Sequence, residues 1–164
     1  MSNTHVSDYS PQEPKPLFGY AALTVAFNAA VASYLADHRR SGRRWPDRLP
    51  LGDFLLLAAG THKASRLISK DRVTSFLRSP FTRYTGEAGP SEVSEEPRGT
   101  GLRLAVGELL VCPYCTGLWV ASAFLGGYAR DRDATRMAAG VFAILTASDF
   151  LHQGWIAAQE QASS

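Results

Sequence analysis

The sequence predicts an all-α integral membrane protein, a bundle of three to four hydrophobic helices with a disordered N-terminal tail. Two segments of about 20 residues carry no charged side chain, and a helix needs about 20 apolar residues to cross a bilayer. The charges are concentrated in the ranges 1–16, 37–50, 70–103 and 130–136. No alternating apolar and polar run exceeds a few residues, so strands have little support.

The composition fits one domain and narrows the functional classes. The chain has 164 residues and a formal net charge of +2, which is too small to indicate nucleic-acid binding. Its two cysteines cannot build a disulfide framework. The sequence contains no catalytic serine motif, phosphate-binding glycine loop, EF-hand or HExxH motif. This favours a non-enzymatic protein.

The chain begins with a polar tail and a predicted membrane helix. Residues 1–16 hold three prolines among polar residues and are predicted to be disordered. Residues 17–36 are uncharged and are followed by four arginines, which predicts a transmembrane helix with a basic flank. A signal peptide with the small-residue site Ala30-Val31-Ala32 is the alternative, but the region before it is long and has a single lysine.

The remaining segments form a predicted core at 51–158. Its helices are expected at about 51–69, 102–129 and 137–158. The 51–69 helix carries His62, Lys63 and Arg66 in its second half, so it either spans the bilayer or re-enters it. Arginine and lysine counts on the two sides nearly balance if it spans, which favours re-entry. Residues 70–101 are expected to be a basic and then acidic loop.

The run Cys112-Pro113-Tyr114-Cys115 lies inside the uncharged stretch 109–129. CPYC is also the dithiol motif of glutaredoxins, where a helix N-terminus lowers the pKa of the first thiol. That motif opens a βαβ fold that contains a later cis-proline. Here 49 residues follow Cys115 and none is proline, so this fold is not expected. Redox chemistry, with Cys112 attacking and Cys115 resolving, remains one interpretation, and simple packing of the thiols is another.

Zinc is the cofactor that the cysteine pair suggests. Structural zinc commonly takes four Cys and His ligands, and the CPYC pair supplies two of them. The other two could come from His62 and His152, or from the CPYC pair of a second subunit.

Four ionisable residues in the predicted helices form a candidate polar membrane cluster: Arg66, Glu108, Asp149 and His152. Asp149 and His152 are three residues apart and therefore share a helix face. Ionisable groups inside a membrane usually face the bundle interior and pair with one another. Such a cluster could lock helices together, relay protons or ions, or bind a lipid headgroup.

Two sequence blocks, AGTHKASRLISKDRVTSFLRSPF (59–81) and GELLVCPYCTGLWVA (107–121), resemble the YjcA-like family of small bacterial membrane proteins. The resemblance covers about residues 51–155, so the helix at 17–36 looks like an N-terminal addition. It implies these signature positions: Arg66, Asp71, Arg78, Glu108, Cys112, Cys115, Gly117 and Trp119. It implies no activity, because that of the family is unassigned, but one named member is a sporulation protein.

We therefore expect a multi-pass protein of the bacterial cytoplasmic membrane. Its expected partners are the lipid bilayer and either another protein or a second copy of the chain, with no nucleic acid. The leading hypothesis is a non-enzymatic scaffold or assembly component, with a link to sporulation or differentiation that the resemblance implies. The alternative is a metal-binding or thiol-redox protein that uses Cys112 and Cys115. A third hypothesis is a lipid-headgroup or small-ion handler built around Arg66, Glu108 and Asp149.

Overall fold

The computed structural model describes residues 9–10, 12 and 15–163. This part of the chain is mostly helical, as predicted, but it also contains a small two-stranded sheet. The helices are α1 (Leu17–Arg40), α2 (Leu51–Lys70), α3 (Ser75–Arg78), α4 (Gly101–Val111), α5 (Pro113–Arg130) and α6 (Arg132–Ala162), and the strands are β1 (Thr82–Gly89) and β2 (Glu92–Pro97). Most of the predicted disordered tail, residues 1–16, lies outside the described residues.

Local sequence signals explain where the long helices begin. Helices α1 and α2 start directly after Pro16 and Pro50, because proline fixes φ at a value that suits the entry to a helix. The carboxylate of Asp131 accepts a hydrogen bond of 3.0 Å from the backbone N–H of Ala134 and so caps α6. This cap occupies the single residue between α5 and α6, so the two helices turn back on each other there.

Helices α1 and α5 run in the same direction. The ring of Phe27 meets that of Trp119 edge-on at a centroid distance of 5.1 Å. One to two turns further along both helices, the Tyr34 hydroxyl donates a 2.7 Å hydrogen bond to the Gly126 carbonyl oxygen. The second contact lies further towards the C-terminal end of both helices than the first, so α1 and α5 are parallel.

Helix α2 runs antiparallel to α5 and parallel to α6. Near its end, the hydroxyl oxygens of Ser69 and Thr116 lie 2.9 Å apart, and Thr116 is at the start of α5. Near its start, Asp53 accepts a hydrogen bond from Tyr128, which is close to the end of α5. Further along, Lys63 pairs with Asp149 in the second half of α6. Helices α1 and α5 therefore run in one direction, and α2 and α6 run in the opposite one.

The bundle has two chemically distinct ends. We call one the arginine end; it contains the end of α1, the start of α2, and the junction of α5 with α6. Eight arginines lie at or near this end: Arg39, Arg40, Arg43, Arg44, Arg48, Arg130, Arg132 and Arg136. We call the other the hairpin end; it contains the end of α2, the two strands, α4 and the start of α5.

The bundle interior is small, and most large apolar side chains point outward. One buried cluster is formed by Leu57, Tyr128 and Ala139. Helices α1 and α6 are long and apolar enough to cross a membrane. In each of them, only 6% of the most apolar 18-residue stretch is buried. Helices α4 and α5 together make a third candidate span, broken by an 81° bend. Helix α2 does not qualify on composition, although it is continuous along its 20 residues.

The prediction of a loop at 70–101 is wrong, because this segment contains an antiparallel hairpin. Strand β1 pairs with β2 from Thr82 opposite Pro97 to Gly89 opposite Glu92, with irregularities that shift the register twice. Pro90 and Ser91 form the turn, and Ser91 adopts a positive φ of 63°. Proline followed by a residue with positive φ is the pattern of a type II turn. The strands are polar and do not alternate regularly, so the sequence carried little signal for them.

A buried arginine holds the hairpin against the bundle. Arg78 is 0% exposed, and its guanidinium donates a 2.5 Å hydrogen bond to the carboxylate of Glu95, whose side chain is 5% exposed. The same guanidinium donates to the carbonyl oxygens of Ile68 and Asp71 at 2.7 and 2.9 Å. It also donates to the Thr74 hydroxyl at 2.7 Å. One side chain thus joins the end of α2, the turn after it and strand β2.

The predicted helix at 102–129 is also corrected, because it is interrupted at Cys112. Cys112 has an extended backbone with φ −104° and ψ 106°, and Pro113 is the first residue of α5. Proline has no N–H to donate to the preceding turn and its ring crowds that turn, which favours the break seen at Cys112. Helix α4 therefore lies across the hairpin end, where Ala105 packs against Gly19 of α1. The predicted helices at 17–36 and 137–158 are in fact longer, as α1 and α6 show.

Loss of the Arg78 side chain is expected to loosen the hairpin. In Arg78→Ala the Glu95 carboxylate stays buried without its partner, which typically costs about 3–5 kcal/mol. The control is Arg72→Ala, which removes an exposed ion pair with Glu87 that is worth about 0–1 kcal/mol. Thermal unfolding of the purified variants and protease cleavage within residues 82–97 measure the difference. Equal effects of both substitutions would contradict a fastening role for Arg78.

The approach of α2 to α6 depends on the absence of a side chain at Gly60. A Cβ there would lie 3.0 Å from the Ala139 carbonyl oxygen and 3.2 Å from its Cα. We expect Gly60→Ala to destabilise the protein by about 1–3 kcal/mol through overpacking. A Cβ at Gly140 would meet nothing within 4 Å, so Gly140→Ala should be neutral or stabilise by up to about 1 kcal/mol. Thermal unfolding of both variants checks the opposite signs.

Candidate functional site

The cysteine pair sits at the corner between α4 and α5. Cys112 is the N-cap of α5, and its sulfur accepts a hydrogen bond of 3.3 Å from the backbone N–H of Cys115. Both thiols are free, and the Cys115 thiol donates to the Cys112 sulfur across 2.7 Å. Cys112 is half-buried whereas Cys115 is exposed. The two sulfur atoms are in contact, so a two-electron oxidation could join them.

Cys115 opens into a cavity of about 660 Å³ between α1, α4 and α5, which we call the dithiol pocket. Its walls are mainly aromatic and aliphatic. They are formed by Tyr20, Leu23, Thr24, Phe27, Ala105, Glu108, Leu109, Val111, Tyr114, Cys115, Leu118 and Trp119. Inside it, the Tyr20 hydroxyl donates a 2.5 Å hydrogen bond to the Glu108 carboxylate. A thiol, a phenol and a carboxylate therefore share one largely apolar chamber.

The predicted zinc ligands are divided between two cavities. Cys115 lines the dithiol pocket, whereas His62 and His152 line a separate cavity beside α6. Within residues 9–10, 12 and 15–163, no three or more His, Cys, Asp or Glu side chains are grouped so that they could hold a metal ion. The two thiols alone supply half of a tetrahedral zinc site.

The second cavity, about 700 Å³, lies between the second half of α2, the hairpin turn and α6, and we call it the polar notch. It brings together three members of the predicted polar cluster, Arg66, Asp149 and His152, and adds His62. Glu108 is not among them, because α4 turns away from α6 and carries Glu108 to Tyr20.

Each main charge of the polar notch has a partner within the chain. Arg66 forms a bidentate pair with Glu92, with distances of 2.6 and 2.7 Å from one guanidinium nitrogen to the two carboxylate oxygens. The Lys63 ammonium lies 2.6 Å from the Asp149 carboxylate. The first pair ties α2 to the hairpin and the second ties α2 to α6. The notch thus contains charges that already neutralise one another.

The other signature positions shape the hairpin end. The Asp71 carboxylate accepts a 3.0 Å hydrogen bond from the Val73 N–H and starts the turn towards α3. Arg78 is the buried arginine that holds the hairpin against the bundle, as described above. Gly117 faces Ser65 of α2, with room for a Cβ 4.0 Å from the serine hydroxyl. Trp119 packs on Phe27 and also lines the dithiol pocket.

Sequence reasoning missed a charged cluster at the arginine end. Asp53 is 2% exposed and pairs with Arg132 at 2.7 Å and with Arg136, while Tyr128 donates a hydrogen bond to it. Its position in the first turn of α2 indicates by itself only a favourable interaction with the helix dipole. The spacing of Arg132 and Arg136, four residues apart on one helix face, was the available signal. Their partner, however, lies about 80 residues away in the chain, at α2.

By its fold, this protein is a mostly helical bundle that has two or three candidate membrane spans and a polar hairpin at one end. The chain belongs to the family described as "Protein of unknown function (DUF1360)", whose sequence profile matches residues 56–155, more than half of its length. The resemblance to the YjcA-like family is thereby confirmed. The matched range runs from α2 to α6 and leaves α1 outside it.

Two curated relatives come from Bacillus subtilis (strain 168). The sporulation protein YjcA is 37% identical over 70 residues, which are 41% of this chain and 59% of that protein. The UPF0713 protein YngL is 29% identical over 85 residues, which are 50% of this chain and 62% of that protein. The chain thus spans about three fifths of the length of these relatives. No solved structure matches it.

Proposed function

We propose that this protein is a multi-pass membrane protein of the bacterial cytoplasmic membrane that acts as a non-enzymatic scaffold. The observation that carries the proposal is the uncovered apolar surface of α1 and α6. Only 6% of the most apolar 18-residue stretch of each helix is buried. A soluble helix of such a bundle would carry a polar outer face. Hydrocarbon is the environment in which these faces are stable.

A scaffold needs surfaces left free for other molecules. In the second half of α6, Leu151 and Trp155 are 74% and 66% exposed. At the hairpin end, the polar strands are held rigidly by the Arg78–Glu95 and Arg66–Glu92 pairs. The charges of the polar notch are already paired, which suits helix locking better than transport of an ion. These features support lateral association with another membrane protein or with a second copy.

The name of the relative YjcA, a sporulation protein, supports a role for this chain in cell differentiation. That inference rests on 37% identity over 70 residues, which are 41% of this chain.

The membrane proposal predicts that the two ends of the bundle face opposite sides of the bilayer. In a chain lacking both native cysteines, Arg44→Cys at the arginine end and Glu87→Cys at the hairpin end provide two exposed single-cysteine probes. A membrane-impermeant maleimide applied to intact spheroplasts should label only one of them, and alkaline carbonate should not extract the protein. Labelling of both from the same side would mean that α2 does not span.

The scaffold proposal predicts that the thiols are dispensable. A chain carrying both Cys112→Ser and Cys115→Ser should fold and should restore the phenotype of a deletion strain, because serine is nearly isosteric with cysteine. The comparison is with Arg78→Ala, which disturbs the hairpin and should not restore it. Complete loss of function in the double serine variant, at normal expression, would contradict the scaffold.

The second candidate function is thiol-redox or metal chemistry at Cys112 and Cys115. It is favoured by the 2.7 Å contact between the two sulfur atoms and by the exposure of Cys115 to the dithiol pocket. Its metal form would be a zinc ion shared by the cysteine pairs of two copies, which gives four ligands. Native mass spectrometry without chelator would reveal it as one zinc per dimer.

A further inference from the structure

The dithiol pocket has the volume and lining of a site for an apolar ring. Four aromatic side chains from α1 and α5 contribute to it: Tyr20, Phe27, Tyr114 and Trp119. The edge-on contact of Phe27 with Trp119 at 5.1 Å leaves a sharply angled aromatic wall. Its volume of about 660 Å³ lies within the range of small-molecule sites, about 300–1,000 Å³.

The polar groups of the pocket are few and chemically related. The Tyr20 hydroxyl and the Glu108 carboxylate form one hydrogen-bonded pair at 2.5 Å, and Cys115 presents its thiol to the same space. A phenol donates a hydrogen bond well to a carbonyl oxygen, and a carboxylate accepts and passes on a proton. A ligand that fits these groups has a ring that carries carbonyl oxygens.

Access to the pocket is from an apolar surface. Two of its walls are on α1 and α5, where Val25 beside the pocket and Leu118 within it are 67% and 56% exposed. If these helices lie in the bilayer, as proposed above, the pocket opens to hydrocarbon and not to water. A reactant dissolved in the membrane can therefore reach Cys115 directly.

We propose that the dithiol pocket binds a membrane-soluble quinone, which oxidises Cys112 and Cys115 to a disulfide. The reaction balances without a further reactant: two S–H bonds break, one S–S bond forms, and two electrons and two protons reduce the quinone to the hydroquinone. Cys115 lies at the ring, and Cys112 closes the disulfide from its position 2.7 Å away. This inference rests on the thiol-redox function, the second candidate above, and not on the scaffold, for which the thiols are dispensable.

In this reaction Tyr20 and Glu108 have distinct roles. At rest the single O–H of Tyr20 is donated to the Glu108 carboxylate. Once Glu108 has taken a proton from a thiol, it can donate to the Tyr20 oxygen, and the Tyr20 O–H turns to a quinone oxygen, which gains negative charge as electrons arrive. Glu108 passes a thiol proton towards that oxygen, for which its contact with Tyr20 places it well. Both act on the quinone and neither is needed for a soluble oxidant to reach the exposed thiol.

The test is a single turnover with the full chain in detergent. The protein is reduced, freed of reductant and mixed without oxygen with ubiquinone-1. The ring of this quinone is fully substituted, so it has no unsubstituted carbon to which a thiol could add. We expect one quinone reduced and two thiols lost per chain, measured by absorbance and by maleimide counting. Tyr20→Phe should slow the reaction about tenfold, the effect of one hydrogen bond to a developing charge. Tyr34→Phe is the matched control, since Tyr34 bonds to Gly126 away from this pocket, and it should react at the normal rate.

A soluble oxidant, diamide, separates the possible failures. If diamide forms the Cys112–Cys115 disulfide and ubiquinone-1 does not, the quinone site is wrong and the redox function stands. If neither reagent forms it, both are wrong. If ubiquinone-1 reacts equally fast with the native protein, with Tyr20→Phe and with the SDS-unfolded chain, the reaction does not use the pocket and the proposal is overturned.

Discussion

The buried pair of Arg78 with Glu95 is the constraint on which the hairpin end depends. A guanidinium that is 0% exposed must satisfy its donors inside the protein, because an unpaired buried charge is very costly. Here it does so with Glu95 and with carbonyl oxygens of Ile68 and Asp71. These partners come from a helix, a turn and a strand, so none of the three can move without leaving a charge unsatisfied. The polar hairpin, which has little apolar surface of its own, is held by this requirement.

The same logic operates at the arginine end, where Asp53 is the buried charge. Its pairing with Arg132 and Arg136 fixes the start of α2 against the start of α6. Between the two ends, Gly60 lets the backbones of α2 and α6 approach closely. The helix pair is thus aligned by Asp53 at one end, by the Lys63–Asp149 pair further along, and by the close approach at Gly60 between them. An arrangement of this kind does not need a large apolar core, which agrees with the outward direction of most large apolar side chains.

Features determined by neighbouring residues could be predicted from the sequence, and features determined by distant ones could not. The apolar helices followed from composition alone, and Pro113 carried a usable signal for the break at Cys112, since proline favours the first position of a helix. The hairpin lacked such a signal, because its strands are polar and depend on pairing with Arg66 and Arg78 of other segments. The separation of Glu108 from Asp149 could not be predicted either. It results from the 81° bend between α4 and α5, and no local sequence pattern specifies the direction of that bend.

That bend is also what creates the dithiol pocket. A continuous helix over residues 101–130 would extend about 45 Å and would carry Glu108 away from α1 along a single axis. Because Pro113 ends the hydrogen-bonding pattern of α4, the chain turns at Cys112 and lays Glu108 against Tyr20. The turn places one sulfur at the cap of α5 and leaves the other exposed one turn later, in the space that the bend has opened. The helix break, the neighbouring sulfur atoms and the aromatic chamber are therefore consequences of one short sequence, in which the proline determines the geometry and the cysteines supply the chemistry.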